Sequence, residues 1–103
     1  MEEREKINMI YSKTISELES LFKEKSKRYN YSYFDNNLLV AWLDARRKFD
    51  RIDKLITTNY CKGSLPDEVF QTIKEESLDL ANYAVMFLVF IRFVENLIEN
   101  SEG

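Results

Sequence analysis

The segment "EESLDLANYAVMFLVFI", Glu75 to Ile91, decides how this chain folds. Its first five residues carry three carboxylates, and they run directly into an almost unbroken apolar stretch. At about 100° per residue, Ile73, Ser77, Leu80, Ala84, Phe87 and Ile91 line up as one stripe of a helix. Glu76, Asp79 and Tyr83 lie beside that stripe, and Met86, Phe90 and Phe93 continue the same flank. The stripe is expected to be core, with the acids at the end of a flank that is buried elsewhere. From Val85 onward the helix is apolar nearly all round, more than two partner helices of one small chain can cover.

Outward from this segment, the clearest break is "YCKGSLPDE", where Gly63 and Pro66 fall close together. Proline is tolerated in a first helical turn, so the long helix is expected from about Pro66 to about Ile98. A second break is "YNYSYFDNN". Between the breaks, Leu38, Leu39, Trp42, Ala45, Phe49, Ile52 and Ile56 mark a helix from roughly Asp35 to Thr57, with an Asp or Asn as N-cap. Before them, Ile7, Ile10, Tyr11, Thr14, Leu18, Leu21, Phe22 and Tyr29 mark a first helix from roughly Glu3 to Tyr29. No strand pattern competes. The expected fold is a single all-α domain over residues 1–103, three long helices in a bundle completed by homodimerisation.

A chain of 103 residues that is 45% hydrophobic can bury a core, but a small one, so folding alone would be marginal. Its 15 basic and 18 acidic side chains are mixed along the sequence, and a net charge of −3 offers no field to attract nucleic acid. Direct nucleic-acid binding is therefore not expected. There is no histidine, which removes His-based acid–base and nucleophile systems and imidazole metal ligands. Cys61 stands alone, which excludes an internal disulfide and fits a reducing compartment. The start "MEEREKINMI" is charged rather than signal-like, so a cytoplasmic location is expected. The apolar run Leu80 to Ile91 is shorter than the ~20 residues that span a bilayer, so no membrane association is expected.

Three groups of residues carry candidate chemistry. Glu76 and Asp79 are one turn apart on one face and can offer hard oxygen ligands to Mg²⁺, with Glu75 as a neighbour. The plain alternative is a solvated acidic patch near a helix start, favoured by the helix dipole. In "LDARRKFDRIDKL", Arg47, Lys48, Arg51 and Lys54 line the outer face, and Lys48 and Arg51 can bind phosphate oxygens; Arg46 or Asp53 can complete a polar site. The alternative is a surface laced with ion pairs. Tyr29, Tyr31, Tyr33, Phe34 and Trp42 can stack a base or simply close the end of the core.

The blocks "KEKSKRYNYS" (Lys23 to Ser32), "WLDARRKFDRIDKL" (Trp42 to Leu55) and "EESLDLANYAVM" (Glu75 to Met86) together resemble the nucleotide-modification-associated domain family of phages and prokaryotes. That family reads roughly as K-x-x-x-YG-x-S, then K-x-x-R-(ILV)-x-x-L, then D-x-x-x-D-(LI)-A-N-Y-A. Through it the chain resembles, more distantly, the all-α nucleoside triphosphate pyrophosphatases of the MazG-like and dimeric dUTPase-like kinds. The resemblance implies nucleotide handling, with Mg²⁺ held by helical carboxylates and hydrolysis of a phosphoanhydride. It marks Lys48 and Arg51 in the second helix and Glu75, Asp79, Asn82 and Tyr83 in the third. With the face that Glu76 shares with Asp79, the expected roles are Glu76 and Asp79 catalytic, Glu75, Glu76 and Asp79 metal ligands, and Lys48, Arg51, Asn82 and Tyr83 substrate-binding. Arg28, Asn30 and Gln71 depart from the family pattern, and the E-E-x-x-E run of the pyrophosphatases is absent. The expectation from another class is a non-catalytic helical oligomer that binds a protein, of phage or mobile-element type.

Overall fold

The computed structural model describes residues 2–28, 38–60, 63 and 65–102. They form an all-α bundle of α1 (Glu3–Arg28), α2 (Leu38–Tyr60) and α3 (Asp67–Glu102). The Pro66 carbonyl accepts the Phe70 N–H at 3.0 Å, so proline caps α3 rather than entering its first turn. Asp67 and Glu68 then sit where the helix dipole favours negative charge. Gly63, in the break, has φ of 76°, a left-handed conformation that suits a residue without Cβ.

Two helices outrun their expected ends, α2 to Tyr60 and α3 to Glu102. Their polar residues bond back into the helix instead of leaving it. Asn59 Nδ2 donates to the Leu55 carbonyl at 2.7 Å, Thr57 Oγ1 to Asp53 at 2.8 Å, and Asn100 Nδ2 to Asn96 Oδ1 at 3.1 Å. The expected starts and ends at Asp35 and Tyr29 lie outside the described residues.

α3 is the centre of the bundle, packed most extensively on α2 and less on α1. The faces it uses are not the apolar stripes of the sequence. On α2 the buried and half-buried line is Ala41, Ala45, Lys48, Ile52, Leu55 and Asn59, whereas Trp42, Phe49 and Ile56 are exposed, Phe49 at 58%. That line is turned by about 60° from the expected stripe. On α3 the most buried residues are Glu76, Asn82 and Met86, while Ser77, Ala84 and Ile91 of the expected stripe face outward. The small side chains of Ala41 and Ala45 let the helices approach, and charge pairing described below holds the polar flank inward. Trp42 covers the edge of the interface, its ring 6.1 Å from that of Phe87.

On α1, burial starts only at Leu18; Ile7, Ile10 and Tyr11 are exposed, although their spacing predicts core. The whole molecule is correspondingly open. Its accessible surface is 8505 Å² and its radius of gyration 17.3 Å. A compact monomer of this size has roughly 6100 Å² and about 13 Å. The longest extent, 57 Å, is close to the ~54 Å length of the 36-residue α3 itself.

α3 also bears on the membrane expectation. It contains an 18-residue window of mean hydropathy 1.6, only 11% buried, so by length and composition alone it is able to cross a bilayer. An unbroken-run count stops at Asn82, Tyr83 and Arg92, whereas the apolar residues around them are numerous enough to keep the window average high.

The rotated faces have a direct test. Ala45→Leu should overpack the α2–α3 contact and cost roughly 1–3 kcal/mol, whereas Phe49→Leu should stay within about 0.5 kcal/mol. Urea denaturation of both variants decides between this packing and the apolar-stripe packing, in which Ala45 and Phe49 are both core and Phe49→Leu would also be costly.

Candidate functional site

The centre of the α2–α3 interface is charged. Lys48 and Arg51 lie three residues apart on α2, as do Glu76 and Asp79 on α3, so each pair shares a face. Lys48 Nζ lies 3.0 Å from Glu76 Oε2 and 3.2 Å from Asp79 Oδ2, and Arg51 Nη1 lies 3.2 Å from Glu76 Oε1. Glu76 is the most enclosed member, its side chain 10% exposed, and Arg51 the least, at 61%. Two cations thus meet two anions where α2 and α3 close together. Glu76 Oε2 has charge contact with Lys48 but no aligned hydrogen-bond donor.

Lys48 titrates above the ordinary lysine value of 10.5. The contact with Glu76 is the largest cause, burial pulls the other way, and Asp79 adds to the upward shift. Lys48 is therefore an inward charge, not part of the outer face that the spacing of Arg47, Lys48, Arg51 and Lys54 predicts. A lysine can reach into the interface because its long stem covers apolar surface while its head finds two carboxylates.

Beside the cluster is a cleft of about 220 Å³ where all three helices contribute. Arg47 and Lys48 reach it from α2, Asp79, Asn82 and Tyr83 from α3, and Lys25 from α1. Arg47 is also tied to Asp44 at 3.3 Å. Asn82 is almost wholly buried, at 3% exposure. Its Nδ2 points at the Met86 thioether, 3.5 Å away, and its Oδ1 has no donor.

Six of the expected site residues thus come together: Lys48, Arg51, Glu76 and Asp79 in the ion cluster, Asn82 and Tyr83 in the adjoining cleft. Glu75 does not join them. It is exposed and lines a separate groove with Thr14, Glu17 and Leu18 of α1, because a step of one residue turns it by about 100° from Glu76. Arg46 also stands apart, in a shallow pocket with Trp42, Phe49 and Leu80, and Asp53 is exposed. Tyr29, Tyr31, Tyr33, Phe34 and Cys61 lie outside the described residues. The cleft residues that sequence reasoning did not assign to a site are Lys25, Arg47 and Met86. The lysine that opens the K-x-x-x-Y pattern was the available signal for Lys25.

The expected Mg²⁺ set does not fit as arranged. Among the described residues no group of three or more carboxylate, cysteine or histidine ligands comes together. Glu76 and Asp79 do face one another, but the Lys48 ammonium lies between their oxygens, at the position a divalent ion would need, and Arg51 takes the other Glu76 oxygen.

Compared with protein-family models, curated proteins and solved structures, the chain matches none.

Removing one member should expose the cost of the buried charges. Glu76→Gln should destabilise by about 3–5 kcal/mol, whereas replacing both partners, as in Lys48→Met with Glu76→Leu, should recover most of it. The raised Lys48 pKa adds a pH signature. Its stabilisation is complete below the unfolded value near 10.5 and is lost as pH rises through the higher folded value, so wild type should weaken above that pH more steeply than Glu76→Gln. Denaturation curves at pH 7 and across the alkaline range measure both effects, and an equal alkaline slope in the two proteins would refute the pairing.

Proposed function

We propose that this chain is a small nucleotide-handling protein, binding a phosphate-bearing nucleotide in the cleft beside the ion cluster. The observation that carries the reading is the convergence of Lys25, Arg47 and Lys48 from two helices on a cleft floored by Asn82 and Tyr83 of a third. Arg and Lys donors suit phosphate oxygens, and a half-buried tyrosine offers both a ring face and a hydroxyl. Glu76 and Asp79 hold Lys48, while Glu76 also holds Arg51. Their role in this reading is to position cations. The resemblance to the nucleotide-modification-associated domain family supports the same ligand class. A cytoplasmic location is the one this reading implies.

With the carboxylates committed to Lys48 and Arg51, binding is better supported than metal-activated hydrolysis. The experiment is a panel of canonical and modified (deoxy)nucleoside triphosphates, with binding measured by calorimetry and pyrophosphate release measured with and without Mg²⁺. Binding without release is the expected outcome. Release that depends on Mg²⁺ would show that the ion cluster opens into a metal site, and no binding to any member of the panel would refute the nucleotide reading.

A second reading is favoured by one specific observation, the surplus of exposed apolar surface. Leu88, Ile91, Phe93, Val94, Leu97 and Ile98 of α3 are all exposed. A helical homodimer, or a protein-interaction module of phage or mobile-element type, would cover them. A standard interface buries about 800 Å² per partner, well below the roughly 2400 Å² by which this surface exceeds that of a compact monomer. Light scattering at micromolar concentration should give a mass above 12.3 kDa, reduced by Ile91→Glu. A folded, monodisperse 12.3 kDa wild type would sink the assembly reading.

A further inference from the structure

Trp42, Phe49 and Ile56 follow one another on α2 at intervals of seven residues, and all three are exposed. Seven residues are close to two turns, so they form one row along the helix, beside the line that packs on α3. α3 continues this apolar face. The Trp42 ring meets that of Phe87, Leu80 lines a shallow groove with Trp42 and Phe49, and Ala84 and Ile91 face outward. Leu80, Ala84, Phe87 and Ile91 are spaced by four, three and four residues, the alternation with which helices present a seam to a facing bundle. The row on α2 is also symmetric about Phe49, so a copy turned end for end sets Phe49 on Phe49 and Trp42 on Ile56. Arg46, three residues before Phe49, and Asp53, four residues after it, flank the row on the side away from α3. Both are exposed, and neither side chain has an ion-pair partner among the described residues. The same reversal brings the Arg46 of each copy to the Asp53 of the other.

From this we infer that the outer face of α2 and α3 binds a second copy of the chain, with the two α2 helices antiparallel across a two-fold axis at Phe49 and two Arg46–Asp53 pairs closing the rim. The four α2 and α3 helices then form one bundle around the aromatic row. Surface area supports a partner of this size. The accessible surface of 8505 Å² exceeds the roughly 6100 Å² of a compact monomer by far more than the ~800 Å² that each partner of a standard interface buries. Charge supports a partner of this identity, since a face that carries its own cation and its own anion on either side of a symmetric row is complementary to itself. The inference rests on the assembly reading and adds to it a face, an axis and a charge pair. It also gives Arg46 and Asp53, which stand apart from the ion cluster, a role of their own.

The test is the dimer dissociation constant of the full chain from analytical ultracentrifugation, with helicity followed by circular dichroism. Phe49→Glu sets two carboxylates against each other at the axis and should weaken the dimer about a hundredfold or more, with helicity retained because the ring is exposed in the single chain. Phe49→Leu keeps an apolar side chain at the axis and should still dimerise, and in the dissociated chain its cost stays small. Arg46→Glu should weaken the dimer about tenfold, since the two-fold repeats the repulsion, and adding Asp53→Arg should restore it to within about threefold. That recovery cannot come from a folding defect, so the charge swap decides even if Phe49→Glu loses helicity. Leu97→Glu lies on another side of α3 and should change the constant less than about threefold. A dimer that Leu97→Glu breaks and Phe49→Glu does not would overturn this face and leave the assembly reading intact. A double swap without recovery would overturn the antiparallel pairing. A folded, monomeric wild type sinks both readings, and its co-flotation with phosphatidylcholine vesicles would give the face to lipid instead.

Discussion

The contact on which the rest of the structure depends is the one between Lys48 and Glu76. A carboxylate as enclosed as Glu76 must have a cation nearby, because an uncompensated buried charge costs several kcal/mol. Lys48 meets that need from the facing helix and reaches Asp79 as well. Once those atoms are paired, the rotations of α2 and α3 about their own axes are set. Ala41 and Ala45 go inward on one side, Asn82 and Met86 on the other. The aromatic side chains Trp42 and Phe49, which have more apolar area to offer, are left at the edge or outside.

This choice explains why a polar cleft exists at all. Had the apolar stripes faced each other, Asp79 and Asn82 would lie toward solvent and Lys25 would have nothing to face. With the polar flank turned inward, the volume beside the ion cluster is lined by groups that cannot all satisfy one another. Glu76 and Asp79 neutralise the cations nearest to them, whereas the buried oxygen of Asn82 has no donor among the described residues. The chemical character of the site therefore comes from what the cluster leaves over. The same cluster closes the carboxylates to a metal ion, since an ammonium lies where the ion would go.

The rotation also displaces apolar surface outward. Among the described residues only Ala41, Ala45 and Met86 are buried hydrophobics, and the last third of α3 is exposed on every side. By length and composition this helix is apolar enough to cross a bilayer, and its exposed apolar side chains are also the kind of surface that helix–helix assembly covers. Arg92 and Glu95 interrupt the apolar residues of this part of α3, and Asn96 and Asn100 bond to each other along its surface.

What the sequence determined by itself was the element content and the candidate partners. Helical period, the break at Gly63 and Pro66, and the spacing of Lys48 with Arg51 and of Glu76 with Asp79 are properties of a single helix or turn, so local chemistry makes them legible. Tertiary structure alone decided which sector of each helix faces inward. Period sets the angles between residues on one helix, but the direction of the whole set is a sum over contacts with other helices. Here a short charge pair between helices outweighed a wider apolar stripe. For that reason Lys25, distant in sequence, arrived beside Lys48 and Asn82, whereas the separation of Glu75 from Glu76 follows from the helical step alone.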